Sequence, residues 1–277
     1  MNRPTEAKTH TKQRDKTMTN LNLITHCGAH KVSREQVVAT PAPESTKTHT
    51  PIAHATFLRN ISDKLDAVGL NISQEVHALS HEGMRYFGMM EVTTEGDSDY
   101  STVLGFRNAN DKRFTAGMVI GSGVFVCDNL CFSGEIKFGR KHTPNILMDL
   151  PALILEAFQK VGAMRDLQDG RIAAYRETEL TDSQVNDLLI QALDANVIAS
   201  AKIGMVLGEW RTPRHQEFVD AGKTTWRLMN AFTEILKPRA EGNDLFMLPG
   251  KTEALHSILD ATANFNFGSD LSIGQAA

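Results

Sequence analysis

Alternation with a period of two, running from Arg85 to Arg140, limits this chain more than any other feature. In YSTVLGFRN, Tyr100, Thr102, Leu104 and Phe106 share one side, and Ser101, Val103, Gly105 and Arg107 share the other. That is the pattern of a strand with one face on a core and one face wet. FSGEIKFGR repeats it, with Phe132, Gly134, Ile136 and Phe138 opposite Ser133, Glu135, Lys137 and Gly139. Between them, FTAGMVIGSGVFVC is apolar on both sides near its end, as a central strand is. RYFGMMEVTT and NISQEVHALS are further strand candidates, and NANDKR is a loop of turn formers. Connections this short make the pairing antiparallel.

After Pro144 the period changes. NILMDLPALILEAFQKVGAMRDLQ carries a broad apolar stripe that Pro151 is expected to kink or restart. In TDSQVNDLLIQALDANVI, Thr181 is followed three residues on by Gln184, a capping-box pattern. Two more helices are read in GKTTWRLMNAFTEILK and KTEALHSILDAT. Upstream, Phe57, Leu58, Ile61, Leu65 and Val68 form a helical stripe, with Thr50 and Pro51 as its expected cap and first residue. Strands first and helices later make the fold class α+β: an antiparallel sheet of about four to five strands over residues 70–140, packed against C-terminal helices. Residues 1–50 read as a disordered tail, a short arm that docks, and a Pro/Thr/Ser linker; 51–265 as one domain; 266–277 as a loose tail.

The net charge of −4 is not that of a polycation, so nucleic-acid binding has to come from a local basic face. Three cysteines, an odd number, argue against a disulfide framework and for a reducing cytoplasm. No apolar run is long enough to cross a bilayer, and the amino terminus lacks a secretory pattern. A cytoplasmic protein with no membrane association is therefore expected.

Each chemical constellation weighs against a plainer reading. His26, Cys27 and His30 with Cys127 and Cys131 offer zinc ligands, but Cys-x-x-x-Cys is loose and its other half lies about a hundred residues away. Cys127 as a small buried hydrophobe is the better expectation. Cys127 and His142 match no known nucleophile–base signature, and Gly121 and Gly123 match no nucleotide-binding loop. No metal or other cofactor is expected. Arg107, Lys112, Arg113, Lys137, Arg140 and Lys141 cluster around the hairpins, interleaved with Tyr86, Phe87, Phe106, Phe114, Phe125, Phe132 and Phe138. A sheet with stacking rings and a basic rim suits single-stranded nucleic acid. The plainer reading makes the rings core and the cations an edge that discourages aggregation. Two Trp-Arg pairs, Trp210-Arg211 and Trp226-Arg227, read first as helix packing.

VLGFRNANDKRFTAGMVIGSGVFVCDNLCFSGEIKFGRKHT resembles the signature of the phage/plasmid-like family carrying the domain of unknown function 932. Arg107, Asn108 and Asp111 match that family's loop; Phe125, Val126, Cys127 and Asn129 match its strand end; Ala109 and Asn110 replace the usual Ser-His. The resemblance covers residues 22–261, implies a gene on a mobile element and names no reaction. The strand-strand-strand-helix order over residues 85–159 is similar to the core of single-strand annealing recombination proteins, a likeness of fold only.

The expectation that follows is a mobile-element accessory protein that binds or anneals single-stranded nucleic acid in recombination or replication, as a homo-oligomer. Its phosphate contacts would be Arg107, Lys112, Arg113, Lys137, Arg140 and Lys141, with Cys127 and Asn129 structural. An inhibitor that binds a host defence protein is the alternative. A metal-dependent hydrolase or nuclease using Asp111, Asp128 and His142 ranks lowest.

Overall fold

The computed structural model describes residues 29–93, 100–124, 134–236, 248–268, 271 and 273. Six strands form one antiparallel sheet: β1 (His30–Val32), β2 (Asn71–Ser80), β3 (Arg85–Thr93), β4 (Tyr100–Ala109), β5 (Ala116–Val124) and β6 (Ile136–Arg140). They lie in the sheet in chain order, each beside its sequence neighbour. Helices α1 (Arg34–Ala39) and α2 (His54–Ala67) sit between β1 and β2. After β6 come α3 (Ile146–Gln159), α4 (Val161–Glu177), α5 (Asp182–Asp194), α6 (Ile203–Arg211), α7 (Gln216–Asp220), α8 (Thr225–Leu236) and α9 (Leu248–Thr262). The α+β class and the antiparallel sheet are as the alternation requires. No helix among the described residues is long and apolar enough to cross a membrane.

One face of the sheet is the core face. Tyr86, Met90, Leu104, Phe106, Met118, Ile120 and Ile136 bury there against α2 and α3. Phe57, Leu58, Ile61 and Leu65 of α2 meet them as the helical stripe demands. Gly88 lies between Tyr86 and Met90 on this face, and the Phe106 ring fills the space a side chain would occupy. A second apolar cluster is all helical, built on Tyr175, Leu188, Trp210, Trp226, Phe232 and Leu255. α4 joins the two: Val161 and Met164 belong to the first, Ile172 and Tyr175 to the second.

Four expectations need correction. The sheet has six strands and begins at His30, because the arm docks: Val32 packs against the core, and Val37 of α1 lies in it. Thr50 and Pro51 do not open α2, which starts at His54; the stretch before it is held by backbone bonds to Asn108 and Asn110 instead. Pro151 does not restart the helix: α3 runs through it, and the break falls at Lys160, shared between α3 and α4. The described residues of the C-terminal segment are not loose: Leu271 and Ile273 are buried in the first core and Phe267 packs against it.

Candidate nucleic-acid interface

Antiparallel partners share a face, so register identifies what the outer face of the sheet carries. One row across all six strands reads Lys31, Ala78, Phe87, Arg107, Gly117 and Gly139. The next reads Val76, Met89, Gly105, Val119 and Lys137. Arg107 and Lys137 are exposed; Phe87, Met89 and Val119 are half-buried. The Arg107 guanidinium lies 5.1 Å from the centre of the half-buried Phe114 ring, and Phe114 lies 5.3 Å from Phe87. A side chain at Gly117 would come within 2.8 Å of the Phe138 carbonyl oxygen, so the β5–β6 strip is flat by necessity.

The structure brings together only part of the expected cation set. Lys112 and Arg113 are exposed in the β4–β5 loop, which also carries Phe114. That loop is anchored: Arg85 Nε donates to Asp111 Oδ2 at 2.6 Å, and the Arg113 N–H donates to Asp111 Oδ1 at 3.1 Å. Burial works to raise the Asp111 carboxyl, but these two bonds and the charges of Arg85 and His81 outweigh it and hold the group below its ordinary value. Lys137 is 64% exposed and lies 3.7 Å from Glu253 of α9. Lys141 is exposed just beyond β6. Arg140 does not belong with them. It points to the opposite face with Ile136 and is buried, donating from Nε (2.9 Å) and Nη2 (2.5 Å) to Asp149 of α3.

Asn108 is interior and contacts no outer surface. Its amide donates to the Ile52 carbonyl (2.8 Å) and to Nδ1 of His54 (2.9 Å), and its Oδ1 accepts from Nε2 of His142 (2.7 Å). His54 Nε2 donates to the Gly83 carbonyl at 2.7 Å. One set of tautomers satisfies every bond with both rings neutral. This places His142 in a structural network; Asp128, the third residue of the hydrolase reading, lies outside the described residues. Among the described residues no group of three or more His, Cys, Asp or Glu is placed to hold a metal ion. Cys27, Phe125, Cys127, Asp128, Asn129 and Cys131 lie outside the described residues.

Beside the β6 end of the outer face opens a cleft of about 1000 Å³, walled by α4, α9 and the segment after α9. Arg107 and Lys137 both line it. At its floor Arg171 of α4 donates from Nε and Nη2 to the two oxygens of Asp260, each at 3.0 Å, and from Nη1 to Gln168. Glu135 approaches the same guanidinium at 3.5 Å, and Phe267 lies 3.8 Å beneath it. Tyr175 donates its hydroxyl to Asp260 at 2.7 Å, and its oxygen is 3.2 Å from His256 Nδ1. Burial and then the Asp260 charge push the Tyr175 hydroxyl far above its ordinary range. Burial and then the Arg171 charge hold His256 well below its own, so the ring is neutral near pH 7. Arg171 with Tyr175, and His256 with Asp260, are four apart on their helices and so face one way. That spacing was the available signal for this floor.

Each tryptophan of the Trp-Arg pairs is covered by an arginine from another helix. Arg227 lies 5.4 Å from Trp210 and donates to the Trp210 and Arg211 carbonyls, while Arg176 covers Trp226 at 5.3 Å. Both tryptophans are buried helix packing. No protein-family model, curated protein or solved structure gives a significant match to the chain.

Proposed function

We propose that this chain binds single-stranded nucleic acid on the outer face of its sheet, as an accessory protein of a mobile element. The carrying observation is the stack on that face: exposed Arg107 over Phe114, with Phe87 beside it. Half-buried rings offer a base a stacking surface worth about 1–3 kcal/mol per base. Lys112 and Arg113 on one side, and Lys137 and Lys141 toward the other, give successive phosphates their counter-charge. The Arg107–Asn108–Asp111 resemblance to phage/plasmid-like proteins supports the setting, and the anchoring of the loop by Asp111 gives that motif a physical role: it holds the cations beside the rings. A flat strip at Gly117 and Gly139 lets a strand lie close to the backbone.

Fluorescence anisotropy with a labelled single-stranded oligonucleotide across a salt series tests the reading. Four or five neutralised phosphates give a slope of log affinity on log salt of about −3, at about −0.7 each. Arg107→Glu is expected to lower affinity at least tenfold and to make the slope shallower. Binding that ignores both salt and Arg107→Glu would end the proposal.

A further inference from the structure

We propose that the cleft beside β6 admits one unstacked nucleotide of the bound strand, base inward and phosphate outward; this rests on the nucleic-acid reading of the sheet face. Arg107 and Lys137 line both the face and the cleft, so a strand lying on the face passes the cleft mouth. At about 1000 Å³ the cleft has ample room for a nucleotide. The orientation follows from charge. Asp260 and Glu135 flank Arg171 at the floor and take up its donors, which makes the floor a poor place for a phosphate. The mouth holds the cations.

The interior suits a base. Phe265 and Phe267 are half-buried and fixed, Phe267 under the Arg171 guanidinium and Phe265 against Gly170, where an added Cβ would sit 3.3 Å from the ring. Fixed rings lose little freedom when a base stacks on them. Tyr175 has one hydroxyl proton, and the Asp260 carboxylate at 2.7 Å takes it. His256 therefore donates from Nδ1 to the tyrosine oxygen, and its Nε2 is left as an acceptor. Ser257, also on the cleft wall, adds a hydroxyl that donates or accepts.

The test uses the full chain and two probes: nucleoside 5′-monophosphates in a thermal-shift assay, and oligonucleotides with and without one abasic site in anisotropy. Ser257 is exposed on α9, so Ser257→Trp fills the cleft while leaving core and face intact. Monophosphates are expected to raise the melting temperature of the wild type and not of Ser257→Trp. The same variant is expected to bind the intact oligonucleotide about tenfold more weakly with an unchanged salt slope, and to lose any distinction between intact and abasic strands. Should Ser257→Trp fold poorly, Phe265→Ala gives the same readouts. No monophosphate shift, or a shift that survives both variants, overturns the cleft proposal. If salt-dependent oligonucleotide binding persists in that case, the sheet-face reading stands and only the cleft proposal falls; loss of both signals removes both.

Discussion

Oδ1 of Asn108 accepts a hydrogen bond from Nε2 of His142 at 2.7 Å, and this bond ties β4 to the turn that leads from β6 into α3. Because the same side chain holds Ile52 and His54, one amide fixes three chain segments. Asn108→Ala is expected to leave the His142 donor and the His54 acceptor buried without partners. At about 1–3 kcal/mol for each orphan, the loss should total about 3 kcal/mol, read as a lower urea midpoint with unchanged slope. A loss under about 1 kcal/mol would mean the network relaxes around the gap.

Acid sensitivity follows from the same rings. Burial, and for His142 the added charges of His49 and His54, hold both rings below the ordinary histidine range, His142 at about 4. A depressed pKa keeps its stabilising effect above the unfolded value near 6.5 and loses it as pH falls toward the folded value. Urea midpoints should therefore drop as pH falls from about 6.5 toward 4, with unfolding taking up protons. His142→Gln should remove about one of them. A midpoint that holds steady over that window contradicts the neutral assignment.

Arg107 and Arg140 should behave as opposites. Removing Arg140 leaves Asp149 without its charge partner at a largely buried site, so Arg140→Gln is expected to cost about 3 kcal/mol in chemical denaturation and leave oligonucleotide affinity unchanged. Arg107→Gln should change stability by less than about 0.5 kcal/mol and weaken nucleic-acid binding. Finding both effects in one variant would break the assignment of the two residues to opposite faces.

Gly88 and Phe106 form a packed pair across β3 and β4. Gly88→Ala inserts a methyl group where the ring stands and is expected to cost about 2–3 kcal/mol. In a Phe106→Leu background the same change should cost far less, and the double-mutant cycle reads the difference. Equal costs in both backgrounds would show that the ring is not the obstacle.

Local chemistry was legible in the sequence. Period-two runs located β4 and β6, and Thr181 with Gln184 does form the reciprocal cap that opens α5. Arg140 was legible too. The parity that turns Ile136 inward turns Arg140 inward with it, and grouping it with the other cations by proximity in sequence overlooked that. β1 has three residues, too few for any period to show. The Asn108 network could not be read, because its partners lie 34, 54 and 56 positions away and only the folded chain sets them side by side. The cleft is of the same kind: Arg171 and Asp260 are 89 apart, and each helix alone shows half of the floor.

The sheet's plain strand order has a consequence during synthesis. From β2 onward each strand emerges from the ribosome soon after the one it will pair with, so hairpins can close in turn without waiting for distant sequence. α2 precedes β2 and is available to shield the growing apolar side from the start. The rest of that cover, from α3, the start of α4, Leu271 and Ile273, comes only with later residues, and that interval is when a nascent chain of this protein has most need of a chaperone.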